Sequence, residues 1–277
     1  MTAIPTYPMN DGRTIPAIGF GTYQLRGEDG IAAIVSALHA GYRLLDTALN
    51  YGNEAEVGEA IRRSGIDRAE IMVTTKLPGR HHGFDETLAS FEESRGHLGL
   101  DYVDLYLIHW PIPRIDKYVD TWRAMIQLRE QGLVRSIGVS NFTGEYLSRL
   151  IDETGVAPAV NQIELHPRFP QLAMRQANLS HGIVTESWSP LARQLPVDTE
   201  PVIVEIAAAH EVTPAQVVLR WHVQLGAVPV PKSASPRRQA ENLDVFGFRL
   251  TDAEIAAISS LESGRLWGGD PETHEEF

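Results

Sequence analysis

The feature that most constrains the fold is a regular alternation of short apolar runs with longer amphipathic segments of helical period. The apolar runs have strand length and lie at 17–21, 42–47, 71–76, 103–110, 136–140, 160–165, 183–188 and 228–231. The helical patterns lie at 30–40, 54–64, 85–98, 119–131, 144–152, 171–180, 201–210 with 213–224, and 236–245. Strands that are apolar on both faces and joined by helices predict a parallel sheet covered by helices.

Two closures of such a sheet are possible, an open doubly wound sheet and a closed barrel. The open dinucleotide-binding sheet usually carries a Gly-x-Gly-x-x-Gly turn after its first strand. Here the first run leads into GFGTYQLRGEDG, which lacks that spacing. Eight successive units therefore favour an α/β fold of the (β/α)8 TIM-barrel type, with the open sheet as the alternative.

The segments outside this alternation predict two additions to the barrel. An Asp11-Gly12 turn between short apolar stretches predicts an N-terminal β-hairpin that plugs the barrel bottom. The tail after Leu261 is rich in Gly, Pro and acidic residues and is expected to be irregular. No linker or repeat indicates a second domain, so residues 1–277 are predicted to form a single (β/α)8 barrel domain.

Composition excludes several classes of partner. The formal charge is −12, whereas nucleic acids and anionic membranes need a basic surface, so neither is expected. Cysteine is absent, which excludes disulfides, thiolate nucleophiles and Cys-ligated zinc, and no metal is expected. No apolar stretch approaches the roughly 20 residues that span a bilayer, and the first residues lack a signal-peptide pattern. We therefore expect a cytoplasmic monomer.

Polar or aromatic residues stand at the ends of almost all the predicted strands, where a barrel places its active site. They are Asp46, Lys76, His109, Ser140-Asn141, Asn161-Gln162, Trp188-Ser189 and Lys232-Ser233. Each also has a structural interpretation: a turn aspartate, a lysine reaching solvent, a core histidine, and loop packing for nearby Tyr51. Their convergence on one rim indicates a site. Asn53 and Glu56 are instead predicted to form a helix capping box.

Several blocks of the sequence resemble the aldo-keto reductase family. GYRLLDTALNYGNEAEVG resembles its first signature, IMVTTKLP and VDLYLIHWP its lysine and histidine strands, and PKSASPRRQAEN its Lys-Ser signature. SIGVSNF, PAVNQIELHP and ESWSPLA match further blocks in the right order, from about Asp11 to Leu261. TKLPGRHHG and Trp188 resemble the bacterial branch that includes the 2,5-diketo-D-gluconate reductases.

The resemblance implies a catalytic tetrad of Asp46, Tyr51, Lys76 and His109. Hydride transfer to a carbonyl leaves an alkoxide that needs a proton, and a free tyrosine with a pKa of about 10 is poorly matched to neutral pH. Lys76 would lower the pKa of Tyr51, and Asp46 would keep Lys76 charged and oriented. His109 would bond the substrate carbonyl.

The resemblance also implies NADPH as the cofactor. Ser140, Asn141 and Gln162 would bind the nicotinamide carboxamide, and Trp188, where many relatives have tyrosine, would stack on its ring. The pyrophosphate would lie along Ser189, Leu191 and Ala192. A second group would hold the 2′-phosphate and adenine, namely Lys232, Ser233, Arg238, Glu241 and Asn242. The direction of Arg237 is not readable from sequence.

Residues near the predicted mouth suggest the substrate class. Tyr23, Leu49, Leu77, Trp110 and Trp267 are expected to border it, although each could be plain packing. The expected activity is reduction of aldehydes and ketones, such as small dicarbonyls, aromatic aldehydes or keto-sugars, with Tyr51 as general acid. The alternatives are a non-enzymatic NADP-binding redox sensor and a lyase using Lys76 as a Schiff-base nucleophile.

Overall fold

Eight parallel strands form one curled sheet in a computed structural model that describes residues 4–192, 196–267 and 269–276. They follow a separate hairpin of β1 (Thr6–Pro8) and β2 (Thr14–Pro16). The sheet strands are β3 (Phe20–Gly21), β4 (Leu44–Asp46), β5 (Met72–Leu77), β6 (Val103–Ile108), β7 (Val134–Ser140), β8 (Val160–Glu164), β9 (Val184–Trp188) and β10 (Ala227–Pro229). Neighbours in the sheet are neighbours in sequence, so the predicted alternation is confirmed.

Helices connect the strands and cover the outside of the sheet. They are α1 (Gly27–Ala40), α2 (Glu54–Ser64), α3 (Phe84–Leu98), α4 (Tyr118–Glu130), α5 (Gly144–Thr154), α6 (Leu172–Ser180), α7 (Pro201–Ala209), α8 (Pro214–Gln224), α9 (Pro236–Leu243) and α10 (Asp252–Ser259). No single helix in the described ranges is long and apolar enough to cross a membrane. Only α7 and α8 taken together, with a 90° bend between them, reach that length and composition.

The sheet closes into a barrel between its first and last strands. The Gly19 N–H donates to the Pro229 carbonyl at 2.9 Å, and the Gly21 N–H donates to the Pro231 carbonyl at 3.1 Å. A Cβ added at Gly21 would lie only 2.9 Å from the Val230 carbonyl oxygen, so glycine permits this close approach. The barrel that the sequence favoured over an open sheet is therefore confirmed.

The predicted hairpin is present and closes one end of the barrel. Strands β1 and β2 pair antiparallel, with Tyr7 opposite Ile15, and Gly12 in the turn has a φ of 84°. Met9 and Ile15 are buried against side chains of the sheet, including Leu44, inside one apolar cluster. The hairpin thus fills the end of the barrel opposite the strand carboxyl ends, as predicted.

Helix α10 was not among the predicted helices. Its start carries a capping box, in which the Thr251 hydroxyl accepts from the Glu254 N–H and the Glu254 carboxylate accepts from the Thr251 N–H. That Thr-x-x-Glu spacing was the available sequence signal. The tail beyond α10 is irregular wherever it is described, as expected, and residues 268 and 277 lie outside the described part.

The predicted capping box at α2 is wrong. Asn53 precedes the helix but makes no side-chain cap bond. Its amide instead donates to the carbonyls of Thr22 (2.8 Å) and Leu25 (2.9 Å), and Glu56 accepts from the Gly27 N–H. Asn53 is fully buried, and its amide therefore needs hydrogen-bond partners. It finds them in a loop distant in sequence and not at the helix end. It ties the loop after β3 to the loop after β4.

This difference predicts the effect of Asn53→Asp. Aspartate caps helices as well as asparagine, so a capping role would leave stability unchanged. In the observed arrangement aspartate lacks the two N–H donors, and two buried carbonyls lose their partner. We expect a loss of about 3 kcal/mol in the free energy of unfolding, measured by urea denaturation.

Thr143→Asp is the matched control, because the Thr143 side chain does cap its helix by accepting from the Tyr146 N–H. It should change the unfolding free energy by less than about 0.5 kcal/mol. Equal stability of Asn53→Asp and the parent protein would contradict the bridging role of Asn53.

Candidate active site

Lys76 lies at the centre of the group of polar residues at the carboxyl end of the barrel. It is carried by β5 and is fully buried. Its ammonium Nζ lies 2.7 and 2.8 Å from the two carboxylate oxygens of Asp46, 2.9 Å from the Thr47 carbonyl and 3.4 Å from the Tyr51 hydroxyl. Burial lowers the pKa of Lys76, but the effects of Asp46, Tyr51 and Glu186 together outweigh it, and the net shift is upward. Lys76 is therefore charged.

Asp46 is fixed at the end of β4 by contacts on both its backbone and its side chain. Its carbonyl accepts from the Thr22 N–H and the Thr22 hydroxyl, each at 2.9 Å. Its carboxylate accepts from the Gln162 amide at 2.8 Å, in addition to Lys76. The side chain has no freedom to turn away, so it orients the ammonium.

Tyr51 reaches the ammonium from a single 3-10 turn, Leu49–Tyr51, that ends at Gly52 with a φ of 62°. Its ring packs edge-on against Tyr23 and His109, with centroids 5.0 and 5.9 Å away. The tyrosine and the three other members of the predicted tetrad are thus brought to one mouth.

The acidity of Tyr51 differs from the sequence-based expectation. Burial raises its pKa to about 12; Lys76 lowers it, whereas Asp46 and Glu276 raise it further. The expected effect of Lys76 is present, but burial exceeds it. At neutral pH Tyr51 is therefore a phenol that carries its proton.

His109 contacts a residue that the sequence did not indicate, Glu276 of the tail. Its Nδ1 lies 2.6 Å from a carboxylate oxygen of Glu276. The same carboxylate accepts from the Asn50 amide at 2.6 Å and from the Gly79 N–H at 3.2 Å. Burial raises the pKa of Glu276, but the charge of His109 and these hydrogen bonds outweigh it and lower the pKa overall. An ionised carboxylate thus lies in the mouth.

Other contacts hold residues 269–276, which we call the tail segment, across the mouth. The His274 ring lies over Trp110 with centroids 4.0 Å apart. The Tyr146 hydroxyl donates to Glu272 at 2.6 Å, and Arg114 pairs with Glu275. These bonds link the tail to the elements after β6 and β7, and no local sequence pattern could have predicted them.

The residues predicted for the nicotinamide form one connected group beside the tetrad. The Trp188 indole N–H donates to Asn141 at 2.9 Å, and the Asn141 amide donates to the Ser140 hydroxyl at 3.0 Å. The Ser140 hydroxyl donates to the Gln162 carbonyl at 2.8 Å. This rim of amide, hydroxyl and indole groups fits a carboxamide-bearing aromatic ring.

Three of the predicted cofactor residues have a strained backbone. Asn141, Ser189 and Ala192 have φ values of 63°, 50° and 44°, in the left-handed region that non-glycine residues seldom adopt. Leu191 is partly buried between the last two. Such strain is typical of ligand-binding turns, where it aims backbone groups at a ligand.

The residues predicted to bind the 2′-phosphate and the adenine lie just before α9 and along it. Lys232 and Arg238 are exposed, whereas Ser233 and Asn242 are buried. Arg237, whose direction was open, pairs with Glu241 on the next turn at 3.4 Å. Two exposed cations beside a helix N-terminus fit a phosphate group.

The residues predicted to border the substrate separate into two groups. Tyr23 is 43% exposed beside Tyr51, whereas Leu49 and Trp110 are nearly buried, Trp110 against His274 of the tail segment. Trp267 is partly buried in the tail, where the adjacent Leu266 N–H donates to Glu164 at 2.8 Å. Leu77, by contrast, is fully buried in the main hydrophobic core, so only its carbonyl, which accepts from the His109 N–H, is near the site.

Metal ligation has no support in the described ranges, where no three His, Asp or Glu side chains are placed to hold an ion. The charged groups at the mouth are instead used in pairs, Lys76 with Asp46 and His109 with Glu276. The arrangement supports proton transfer by a tyrosine and binding of an organic cofactor.

Comparison with known proteins agrees with this arrangement. The aldo/keto reductase family model matches residues 17–263. The 2,5-diketo-D-gluconic acid reductase B of Corynebacterium sp. is 61% identical over 277 residues, covering 100% of both chains. Morphine 6-dehydrogenase of Pseudomonas putida is 47% identical, covering 96% of this chain and 94% of that protein.

A crystal structure of a Gox0644 mutant in complex with NADPH superposes with a TM-score of 0.94 at 45% identity, covering 99% of each chain. The strand-end residues, the barrel and these relatives agree. The chain belongs to the aldo/keto reductase family and is an NADP(H)-dependent oxidoreductase.

Proposed function

We propose that this protein reduces aldehydes and ketones to alcohols, with Tyr51 as the proton donor. The observation that carries the proposal is the position of the Lys76 ammonium, 2.7 Å from Asp46 and 3.4 Å from the Tyr51 hydroxyl. An ammonium held at a tyrosine in a buried mouth stabilises the phenolate that proton donation leaves behind.

Each member of the tetrad has a distinct part in this reaction. NADPH supplies the hydride when it is bound. Tyr51 and His109 flank the place where the carbonyl oxygen would lie and donate hydrogen bonds to it. Tyr51 then gives its proton to the alkoxide, Lys76 stabilises the resulting phenolate, and Asp46 keeps Lys76 charged. Because an alkoxide is a much stronger base than a phenolate, a phenol with a raised pKa can still protonate it.

The cofactor roles follow the geometry of the rim. Ser140, Asn141 and Gln162 would hold the carboxamide, and the Trp188 ring would stack on the nicotinamide. Ser189, Leu191 and Ala192 would line the pyrophosphate along the strained turn. The 2′-phosphate would lie at the start of α9, against Lys232, Ser233 and Arg238. The adenine would lie farther along the helix, near Asn242 and near Glu241, which pairs with Arg237.

The substrate would enter beside Tyr23, Leu49 and Trp110, an apolar and aromatic lining. Such a lining suits aromatic aldehydes, small dicarbonyls and keto-sugars, with Trp267 of the tail as a further border. The names of the two relatives, a diketo-gluconic acid reductase and a morphine dehydrogenase, support a pocket that accepts both polar and polycyclic molecules. Leu77 is left out because its side chain lies in the core.

The two alternative functions are disfavoured by particular residues. A Schiff-base lyase needs a neutral lysine amine, whereas Lys76 is charged and its ammonium protons are engaged with Asp46, Thr47 and Tyr51. A non-enzymatic redox sensor would not require four proton-handling groups at the mouth. The proposal includes action as a single-domain monomer in the cytoplasm.

In this proposal the tail segment would compete with a carbonyl substrate for the polar groups around His109. Glu276 occupies the polar groups of Asn50, Gly79 and His109 that a substrate oxygen would use. Substrate binding therefore competes with an internal carboxylate, and a substrate that carries its own carboxylate also meets like charge.

The first test of the proposal is Tyr51→Phe, which removes the proton donor but keeps the ring. We expect the rate of aldehyde reduction to fall at least about 100-fold, followed by NADPH absorbance, with NADPH affinity retained. Tyr7→Phe, at the opposite end of the barrel, is the control and should keep the parent rate. Full activity of Tyr51→Phe would show that the tetrad is not catalytic.

The second test concerns the choice of NADPH over NADH. Arg238→Ala removes a charge-assisted hydrogen bond to the 2′-phosphate, so the Kd for NADPH should rise roughly 10- to 100-fold while that for NADH stays nearly constant. Arg237→Ala, whose side chain pairs with Glu241, is the matched control and should change the affinities for NADPH and NADH by the same factor. Equal losses for NADPH and NADH in Arg238→Ala would contradict the assignment. Tryptophan fluorescence titration measures both constants.

The third test replaces the carboxylate that lies in the mouth. Glu276→Gln removes the negative charge that lies beside His109, so KM should fall. The decrease should be roughly tenfold for a carboxylate-bearing keto acid and smaller for a neutral aldehyde of similar size. Glu275→Gln is the control, because it weakens the pairing of the tail segment with Arg114 but leaves the Glu276 charge in the mouth; it should change the two KM values by the same factor. If Glu276→Gln changed KM equally for the charged and the neutral substrate, Glu276 would not compete through its charge.

A further inference from the structure

Glu186 is a buried carboxyl group with no part in the proposed reaction. It lies in the middle of β9, opposite Gln162 of β8 and Val228 of β10 in the strand register. It is fully buried, and neither of its carboxyl oxygens has a hydrogen-bond partner within the described residues. Buried acidic side chains are normally paired, so this one requires an explanation.

The available cation near Glu186 is already in use. An ammonium has three N–H donors. Those of Lys76 are directed to Asp46, to the Thr47 carbonyl and to the Tyr51 hydroxyl. No donor of Lys76 remains for a second carboxylate. The neutral Gln162 amide, which lies beside Glu186, donates one of its two N–H groups to Asp46 and brings no positive charge to Glu186.

The net charge of the buried groups around Glu186 determines whether its carboxyl is protonated. Lys76 and Asp46 together are neutral, so an ionised Glu186 would add an uncompensated negative charge in a medium of low dielectric constant. Burial first, and then the charge of Asp46, raise the pKa of Glu186 to about 8, against weaker opposing effects of Lys76 and Gln162. At neutral pH the carboxyl keeps its proton.

We propose that Glu186 is a positioning residue, which as a neutral carboxylic acid leaves the Lys76 ammonium to Asp46 and Tyr51. The catalytic part of this inference rests on the proposed function, whereas the protonation state of Glu186 does not. The groups that face Glu186 are Asp46 of β4, Lys76 of β5 and Gln162 of β8, with apolar Val228 on β10.

Ionisation of Glu186 would change the balance around Lys76. A second carboxylate attracts the ammonium and raises the pKa of Lys76. The ammonium then stabilises a Tyr51 phenolate less well, because part of its field is neutralised by Glu186. Loss of the Glu186 proton above a pH of about 8 should therefore reduce the rate of carbonyl reduction.

The first experiment measures unfolding as a function of pH for the parent and for Glu186→Gln. In the unfolded chain Glu186 ionises near 4.5 and in the folded protein near 8, so its contribution to stability is complete below about 4.5 and is lost as pH rises to about 8. Glutamine cannot ionise. The unfolding equilibrium constant of the variant relative to the parent should fall roughly tenfold per pH unit across that window and then level off.

Glu164→Gln is the control for a buried carboxylate of the neighbouring strand that does have partners. Glu164 accepts from the Leu266 N–H and lies 3.0 Å from His166 Nε2, so losing its charge should destabilise the protein at neutral pH. A stability difference between Glu186→Gln and the parent that does not vary between pH 4.5 and 8 would overturn the proposal.

A second measurement does not depend on folding of the Glu186 variant. Infrared difference spectroscopy of the parent protein, labelled with ¹³C in glutamate carboxyl groups, detects protonated glutamate directly. We expect a carboxylic acid band that disappears around pH 8. Glu54, whose pKa burial also raises, is identified separately with Glu54→Gln. Absence of any remaining protonated glutamate at pH 7 would overturn the proposal.

The pH–rate profile connects Glu186 to catalysis. With an aldehyde and saturating NADPH, the parent rate relative to that of Glu186→Gln should fall by up to tenfold per pH unit above about 8. Parallel profiles would remove the positioning role, even where the infrared band shows a neutral acid. Activity that survives Tyr51→Phe would instead contradict the proposed function and leave the stability and infrared results intact.

Discussion

The ion pair between Lys76 and Asp46 is the constraint on which the rest of the site depends. A charged pair inside a barrel is tolerated only where its remaining donors and acceptors are satisfied, because desolvation of each ion is expensive. Here Thr47, Tyr51 and Gln162 complete those bonds; the first two lie in the loop after β4, and Gln162 comes from β8. The strand register places the ends of β4 and β5 side by side, so the closed barrel holds the pair, and the pair fixes where Tyr51 can lie.

Much of this arrangement could be predicted from the sequence, since it depends on local patterns. Apolar runs alternating with helices determined the strand order, and polar residues at the ends of those runs marked Asp46, Lys76 and His109. What failed depends on contacts distant in sequence. Asn53 has good capping chemistry, yet its amide bonds to the loop after β3. Glu276 reaches Asn50 across 226 positions, and no periodicity describes that contact. The raised pKa of Tyr51 is likewise a result of burial, which a sequence does not state.

Three carboxyl groups of the site have different roles because their surroundings differ. Asp46 is ionised and paired with the buried lysine, whereas Glu276 is ionised and paired with the histidine of the mouth. Glu186, which has no cation, is proposed to stay neutral. The local charge is therefore balanced in two layers, one inside the barrel and one at its rim. A change in either layer acts on Tyr51 through electrostatics, although among the described residues only Lys76 is hydrogen-bonded to its hydroxyl.

The joint between β3 and β10 has a consequence for cofactor binding. Two backbone hydrogen bonds, from Gly19 and Gly21 to Pro229 and Pro231, hold this joint, and the next residue along the chain is Lys232. The segment that would bind the 2′-phosphate is thus a direct continuation of the last strand of the barrel. A bound dinucleotide that spans from the Trp188 ring to α9 would connect the end of β9 to the segment that follows β10. Cofactor binding would then raise the free energy needed to open the barrel between β3 and β10. The cofactor would stabilise the fold as well as serve the reaction.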